Sequence, residues 1–311
     1  MIEVDVLVLT YKRPALLADA LDSLVLQRLP TDHRMRIIVV DNDAAQSAHA
    51  TVSRFQAVFS DIRYVCETEA NVAKARNRAL SEARGRYAAF IDDDEVASPE
   101  WLATLLRARE QYLAPVVLGP VMPLLPTDTP RWVIAGRFFD RPRRATGTIV
   151  HAGAGGTGNV LLDLHAVRRT RILFDASYGI SGGEDTHFFY RLAAAGLNAV
   201  WCDEAKVHEQ VQPHRVRIGW LVQRAFAGGR SYARIFDREE ASWRRATKAL
   251  GYGCVSAGLL LLVPASACSG MAGVARTLRL SARHWGRSIG LWGALARSVG
   301  CKPERRVAHA D

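Results

Sequence analysis

The first ninety residues alternate between short apolar runs rich in β-branched residues and segments in which leucine or alanine recurs with helical spacing. The runs 4–10, 36–40, 62–66 and 86–91 are predicted strands, and the segments 15–29, 51–59 and 71–83 are predicted helices. This alternation is typical of an α/β protein. It predicts a Rossmann-like, mostly parallel sheet with helices on both faces.

Polar residues follow three of the predicted strands, at 10–13, 41–43 and 92–95. In open α/β sheets, ligands bind outside the carboxyl ends of the strands. Three polar clusters at one end of one sheet therefore indicate a single binding site.

The acidic run 92–95 follows a buried apolar strand, and its four carboxylates repel one another. A divalent cation and the phosphates that it carries would explain why such a run persists. A solvated acidic turn is the alternative.

Two common phosphate-binding motifs are missing from the sequence. No GxGxxG follows the first strand, and no GxxxxGK[ST] occurs, which argues against a dinucleotide-binding or Walker-type loop. The stretch 123–158 is rich in Pro, Gly and Arg and is interpreted as a mobile segment that could cover the site. A strand is predicted over 158–163, a helix from 182–185 to 195, and a strand over 198–202.

Six motifs occur along the chain: Val-Leu-Thr10-Tyr-Lys-Arg13, Val-Val-Asp41-Asn, Asn71-x4-Arg76-Asn77, Phe-Ile-Asp92-Asp-Asp94-Glu, Gly-Asn159-Val and Gly-Gly-Glu184-Asp185. In this order and spacing they resemble family 2 glycosyltransferases, most of all the bacterial members that build exopolysaccharide, lipopolysaccharide or cell-wall glycans. The likeness extends over about 1–235 and is nearest to the succinoglycan glucosyltransferase type.

The resemblance implies a GT-A fold, a nucleotide-diphosphate sugar donor, a divalent metal (Mg²⁺ or Mn²⁺) and inversion at the anomeric carbon. It assigns a set of residues to the nucleotide-sugar pocket, with Asp41 accepting from the base, for which uracil N3–H is the expected donor. That set is Thr10, Tyr11, Arg13, Asp41, Arg76, Asp92 and Asp93. For Tyr11 a strand-end aromatic is the alternative, and for Arg76 a solvated basic helix face.

The resemblance also implies the metal ligands and the catalytic groups. Asp94 would bind the metal, with Asp92 as its partner and His208 as a further ligand, although a structural histidine is the alternative. Asp185 would be the general base and Glu184 an acceptor contact, against ordinary capping of a helix. A nucleotidyltransferase of similar topology and an inactive membrane-bound scaffold are the other functions considered.

The last third of the chain is basic and partly uncharged. Residues 212–311 carry 17 of the 41 Lys+Arg but 5 of the 31 Asp+Glu, and 249–275 carry no charge. This run is long enough to span a bilayer, but its Pro and Gly residues make a broken or re-entrant segment, or a buried helical pair, equal alternatives. Four arginines and an apolar set then take opposite sides of a helical wheel, as in a helix at a membrane interface, and an amphipathic helix packed on the protein is the alternative. The arginines are Arg276, Arg279, Arg283 and Arg287, and the apolar residues are Leu278, Trp285, Ile289 and Trp292.

These features predict a catalytic domain over 1–235 and a helical membrane-associating region over 236–311. The expected partners are an anionic membrane surface and a saccharide acceptor linked to polyprenyl diphosphate. Nucleic acid is not an expected partner, because the segregated Arg and Trp residues suit lipid better. Five dispersed cysteines without a Cys-x-x-Cys pair, and no secretory signal at the N-terminus, predict the cytoplasmic face of the cell membrane.

Overall fold

The computed structural model describes residues 1–150, 155–237 and 240–300, the last seven of these by their backbone alone. Strands and helices are numbered separately in chain order. The strands are β1 (Ile2–Thr10), β2 (His33–Asp41), β3 (Ile62–Cys66), β4 (Tyr87–Asp92), β5 (Glu95–Ala97), β6 (Val116–Leu118), β7 (Val121–Leu124), β8 (Ile149–Val150), β9 (Asn159–Asp163), β10 (Ala199–Trp201) and β11 (Val207–Gln210). The helices are α1 (Pro14–Val25), α2 (His49–Gln56), α3 (Val72–Glu82), α4 (Trp101–Tyr112), α5 (Arg131–Gly136), α6 (Leu164–Thr170), α7 (Glu184–Ala194), α8 (Ile218–Phe236), α9 (Ser242–Leu261), α10 (Val263–Ser266) and α11 (Gly270–Gly300).

The main sheet has eight strands in the order β3-β2-β1-β4-β9-β6-β10-β8. Strands β1 to β4 pair in parallel, as do β6 and β10, whereas β9 and β8 are antiparallel to their neighbours. Buried apolar side chains cover both of its faces, from α1, α2 and α4 in one cluster and from α3, α6 and α7 in the other. The predicted mostly parallel sheet with helices on both faces is confirmed.

The pairing of the central strands brings the predicted polar clusters side by side. Thr10 is paired with Asp41, and Leu9 is paired with Asp92. Because the three strands run in parallel, their carboxyl ends meet at one end of the sheet. A second sheet has the strand order β5-β11-β7. Its strand β5 begins at Glu95, the last residue of the acidic run 92–95.

The chain divides into two compact units. The first contains 1–129 and 139–213, and the second contains 130–138 and the chain from His214 onwards. The predicted boundary between residues 235 and 236 separates a catalytic part from a membrane-associating part. Compactness does not test that distinction, so it stays a prediction.

Small residues let the helices of the second unit approach closely. A Cβ added at Gly286 of α11 would lie 2.1 Å from the carbonyl oxygen of Phe226 in α8, and one added at Gly229 of α8 would lie 2.1 Å from that of Arg283. The α9–α11 contact uses hydroxyls instead: Ser288 donates to the carbonyl of Ala249 at 2.8 Å. The predicted C-terminal helices are therefore present and packed on one another.

A helix that crosses a bilayer must be both long and apolar. No single helix in the described part of the chain meets both requirements. The helix pair Ser242–Leu261 and Val263–Gly293, bent by 53°, meets them jointly.

The close helix contact in the second unit predicts opposite effects for two identical substitutions. Gly286→Ala should destabilise the protein by about 1–3 kcal/mol, because its methyl group overlaps a backbone carbonyl. Gly251→Ala in α9 meets no atom within 4 Å and should stabilise by about 0.5–1 kcal/mol through helix propensity. Thermal unfolding followed by circular dichroism measures both, and equal shifts for the two variants would contradict the proposed packing.

Candidate active site

The acidic turn after β4 is held by side chains from the end of β1. The Thr10 hydroxyl donates to Asp93 at 2.7 Å, and Arg13 pairs with Asp93 at 3.2 Å and Asp94 at 3.4 Å. Both carboxylates are buried, whereas the Arg13 side chain is 43% exposed. The Arg13 guanidinium therefore lies over the two carboxylates from the solvent side.

The other two carboxylates of this turn are Asp92 and Glu95, and the charge of Asp92 acts on Glu95. Glu95 is buried, and one of its oxygens accepts from the Asp92 backbone N–H at 2.9 Å. Loss of hydration raises the pKa of Asp92 to about 6, an effect that the Arg76 charge opposes. Burial, and then the Asp92 charge, raise the pKa of Glu95 well above its usual value. At pH values between the ordinary and the raised pKa, these two carboxyls therefore keep protons that exposed carboxyls would have lost.

Arg76 lies in the interior and not on a solvated helix face. It is 7% exposed, donates to Glu184 of α7, and lies with its guanidinium carbon 5.7 Å from the centre of the Phe174 ring. Its charge acts on Glu184, Asp185 and Asp92. Arg76 Nε and Glu184 Oε2 are both buried without a hydrogen-bond partner among the described residues. This ion pair links the two acidic segments, 92–95 and 184–185.

Two glycines place Asp185 in the first turn of α7. Gly182 and Gly183 have φ of +78° and +96°, a backbone conformation that residues with a Cβ rarely adopt. One oxygen of Asp185 accepts from the Thr186 N–H at 2.6 Å, and a Cβ on Gly156 would lie 3.6 Å from the other. Glu184 faces Arg76 and makes no capping bond, so the helix-capping interpretation is wrong for Glu184.

The glycine-rich segment passes close to the acidic groups. A Cβ on Gly158 would lie 2.5 Å from Glu95 Oε1, and the adjoining Gly156 is beside Asp185. A Cβ at residue 158 would be too close to Glu95, whereas 3.6 Å at residue 156 is an ordinary contact distance. The predicted mobility of 123–158 is not addressed by these contacts, and 151–154 lie outside the described residues.

Asp41 is completely buried, and donors occupy both of its oxygens. One accepts from the Asp43 N–H at 3.1 Å, and the other from the Ala48 N–H at 2.8 Å and the Tyr64 hydroxyl at 3.0 Å. Burial and the bond to Asp41 raise the pKa of Tyr64. This arrangement makes Asp41 a support for the loop after β2, and its predicted contact with a base stays a prediction.

His208 of β11 lies beside β5, the strand that begins in the acidic turn. It is paired with Val96, whereas its neighbour Glu209 is paired with Glu95. Because side chains alternate between the faces of a strand, His208 shares the Val96 face and not the Glu95 face, and its predicted metal ligation stays a prediction. Among the described residues, no three His, Cys, Asp or Glu side chains are arranged to hold a metal ion.

The oxygen donors of the acidic turn fit a hard cation that also binds the oxygens of a diphosphate. Magnesium in particular is usually bound through one or two carboxylates plus substrate phosphates and waters, so a group of three protein ligands is not required. Asp94 and Asp92 supply oxygen donors at the carboxyl end of β4, where such a cation would lie. Tyr11, 48% exposed, lies directly after β1 at the same end.

Sequence reasoning missed two supporting residues. Asn159 is buried, accepts from the Trp101 indole at 2.8 Å and donates to the carbonyls of Pro120 and Ala205. Asn42 donates to the carbonyls of Glu67 and Glu69, which fixes the loop before α3. Both asparagines occur in the motifs given above, but a sequence does not show which carbonyls lack partners.

Comparisons with known proteins agree on one family. The sequence model of "Glycosyl transferase family 2" matches residues 5–161. The succinoglycan biosynthesis protein ExoM of Rhizobium meliloti (strain 1021) is 38% identical over 247 residues, which are 79% of this chain and 79% of ExoM.

Solved structures share the fold at low sequence identity. The mannosyltransferase PcManGT of Pyrobaculum calidifontis, in complex with GDP-Man and Mn²⁺, has a TM-score of 0.58 and 19% identity, with 97% of this chain and 76% of that one covered. TarS 1-349 of S. aureus in complex with UDP has a TM-score of 0.55 and 15% identity, covering 97% and 93%. The match spans about half (55%) of a longer TarS chain. The predicted GT-A fold is confirmed.

The buried Glu95 predicts a distinctive pH dependence of stability. Its pKa is raised in the folded state, so the folded protein keeps a proton that the unfolded chain releases near its ordinary pKa of about 4.3. Stability should therefore fall as pH rises from that value through the folded pKa. Glu95→Gln, neutral throughout, should be more stable than the native protein at pH 8, and the difference should vanish near pH 4.

Chemical denaturation across this pH range measures the effect. Glu110→Gln, which neutralises an exposed carboxylate on α4, is the matched control and should keep the native pH slope. A Glu95→Gln variant whose stability follows the native curve at every pH would contradict the retained proton.

Proposed function

The chain belongs to glycosyl transferase family 2 and is a glycosyltransferase, and from this premise we propose its reaction. It transfers a sugar from a nucleotide-diphosphate donor, with a UDP-sugar as the first candidate, to a saccharide acceptor in surface polysaccharide synthesis. Transfer is a single displacement that inverts the anomeric carbon. The observation that carries this proposal is the Arg76–Glu184 pair, which joins the carboxylates after β4 to those that open α7.

The donor assignment is supported by the chemistry of the strand ends. Thr10, Tyr11 and Arg13 follow β1, and the exposed Arg13 guanidinium can leave the carboxylates of Asp93 and Asp94 for a diphosphate, which guanidinium binds well. Among the structural relatives, TarS holds UDP and PcManGT holds GDP-Man. ExoM is named for the biosynthesis of an exopolysaccharide, which supports a surface glycan as the product.

A divalent cation, Mg²⁺ or Mn²⁺, would be held by Asp94 with Asp92 as its partner. When bound, it supplies positive charge that stabilises the departing nucleoside diphosphate. His208 of β11, which is paired with β5 directly after the acidic turn, is its further ligand, with a structural histidine as the alternative. The Mn²⁺ bound to PcManGT supports the choice of metal.

Asp185 accepts the proton of the acceptor hydroxyl as that hydroxyl attacks the anomeric carbon. Its position in the first turn of α7 places the carboxylate at the positive end of the helix dipole. The charge of Arg76 acts on it from the interior. Gly156, which has no side chain, leaves open space beside the second carboxylate oxygen of Asp185. The acceptor hydroxyl can bind to that oxygen.

The acceptor is proposed to be a saccharide carried on polyprenyl diphosphate at the cytoplasmic face of the membrane. The exopolysaccharide relative and the uncharged, basic-flanked C-terminal helices support this location. The catalytically inactive scaffold is disfavoured because Asp92, Asp94 and Asp185 are all present, and Asp92 and Asp185 are near the charge of Arg76. The family match disfavours the nucleotidyltransferase.

Asp185→Asn tests the general base. Turnover should fall by about 10²–10⁴-fold because a neutral amide cannot accept the proton, whereas donor binding should persist. Sugar transfer and calorimetric donor titration measure the two quantities separately, and product stereochemistry by NMR tests inversion. Asp61→Asn, which alters an exposed ion pair with Arg34, is the matched control and should leave both unchanged.

Unchanged turnover in Asp185→Asn would remove Asp185 from the chemistry. Loss of donor binding in step with turnover would assign it to the donor pocket instead. A retained anomeric configuration in the product would overturn the single displacement.

Asp94→Asn tests the metal. In the native protein, UDP-sugars with Mn²⁺ should raise the melting temperature by more than either alone, because a ligand that binds only the folded state stabilises it. The variant should lose the Mn²⁺-dependent part and keep the smaller shift with nucleotide alone. An undiminished Mn²⁺ effect in Asp94→Asn would place the metal elsewhere.

A further inference from the structure

The second unit exposes an apolar surface at the turn between α9 and α11. We call residues 260–271, which include α10, the hairpin tip. Leu260, Leu261, Leu262 and Met271 in it are 52%, 81%, 56% and 49% exposed. No charged residue occurs between Lys248 and Arg276. A contiguous exposed apolar region of this kind marks a binding surface.

The same character continues along the two helices that lead to the tip. On α9, Trp243 and Leu250 are 68% and 60% exposed at a spacing that places them on one face. On α11, Trp285, Ile289 and Trp292 are also exposed at helical spacing. Tryptophan is the residue enriched where a hydrocarbon layer meets water.

The arginines of α11 do not form the single exposed face that the sequence predicts. Arg279 lies 4.9 Å from the centre of the Phe138 ring in the turn after α5, and Arg287 lies 4.3 Å from the centre of the Tyr232 ring of α8, so both are packed against aromatic side chains. Arg276 and Arg283 remain exposed. The helix thus turns two of its arginines inward and its tryptophans outward, because guanidinium groups stack well on aromatic rings.

Charge decides between a second copy of the chain and a lipid surface as the occupant. Residues 241–300 contain eight Lys+Arg and no Asp or Glu. Two copies brought together through this surface would place like charges together without any acidic partner from these residues. An anionic leaflet supplies the opposite charge beside an apolar layer, and each nearby cation strengthens the attraction.

The backbone at the tip limits the depth of contact. The helical path bends at Leu262, whose N–H still donates to the Leu259 carbonyl at 3.1 Å, and it is broken around Gly270, where φ is +67°. Irregular backbone exposed to lipid does not occur within the hydrocarbon region, because its polar groups would lack partners. At the interface, water and headgroups can satisfy those groups.

We propose that the hairpin tip docks into the interface of an anionic bilayer leaflet without crossing it, with Arg276 and Arg283 on the headgroups. The proposal rests on the proposed membrane location and specifies which residues make the contact. It is independent of the donor, the metal and the base.

Sedimentation of the full-length protein with vesicles tests the contact. The protein should bind phosphatidylcholine vesicles that contain phosphatidylglycerol, and Leu261→Gln/Leu262→Gln should weaken binding by about tenfold or more. Leu26→Gln/Val58→Gln removes apolar side chains of the first unit that are 70% and 76% exposed, and it should bind like the native protein. Equal binding by both variants would overturn the proposal, as would a tip variant that loses self-association without lipid.

Cys268, exposed within the hairpin tip, reports the depth. With Cys66, Cys254 and Cys301 replaced by serine and Cys202 buried, an environment-sensitive fluorophore on Cys268 should shift to the blue on vesicle binding. A headgroup spin label should quench it. Modification of an unlabelled Cys268 by a thiol reagent trapped inside the vesicles would show that the hairpin crosses, and continued access to aqueous iodide would show that it does not enter.

Sugar transfer to a soluble acceptor separates this proposal from the enzymatic one. The Leu261→Gln/Leu262→Gln variant should keep native transfer to that acceptor while its vesicle binding falls. Transfer lost in Asp185→Asn with vesicle binding intact is the complementary result, so failure of either proposal is recognised without the other.

Discussion

The first unit depends on how it stabilises a concentration of carboxylates at the carboxyl ends of its strands. Asp92, Asp93, Asp94 and Glu95 follow β4, and Glu184 and Asp185 open α7. Buried carboxylates with few counter-charges are costly, and the site responds in two ways: Arg13 and Arg76 lie against them, and burial raises the pKa of Asp92 and Glu95. The same carboxylates supply the oxygen donors that the proposed divalent cation requires, which offsets part of this cost. We regard the site as electrostatically prepared for that cation.

The two arginines differ in burial, and this difference separates their roles. Arg76 is buried beside Glu184 and Phe174, so it is a fixed part of the site and couples the acidic turn to the helix that carries Asp185. Arg13 is 43% exposed and can exchange partners. In the proposed reaction, the fixed cation would keep the catalytic groups positioned, whereas the exchangeable one would move from carboxylates to phosphates as the donor binds.

The second unit applies another constraint, the close approach of helix backbones. Gly229 and Gly286 bring α8 and α11 together where a larger residue would overlap a carbonyl. That packing occupies one side of α11 with small residues and arginine–aromatic stacks. The tryptophans and the uncharged turn are consequently left exposed, although the apolar face of a helix is ordinarily buried.

The sequence by itself determined the α/β class, the carboxyl-end location of the polar clusters and the glycosyltransferase family. Strand and helix periodicities are local, and parallel strands necessarily bring their carboxyl ends together. Only the tertiary structure decided which donors each polar side chain meets, because many of those donors come from distant parts of the chain. Asp41 accepts from two N–H groups of the loop after β2 and from the Tyr64 hydroxyl of β3, and Arg76 donates to Glu184 of α7. Likewise, the arginine stripe of α11 was visible on a helical wheel, but its direction depended on aromatic rings contributed by distant segments, which periodicity does not encode.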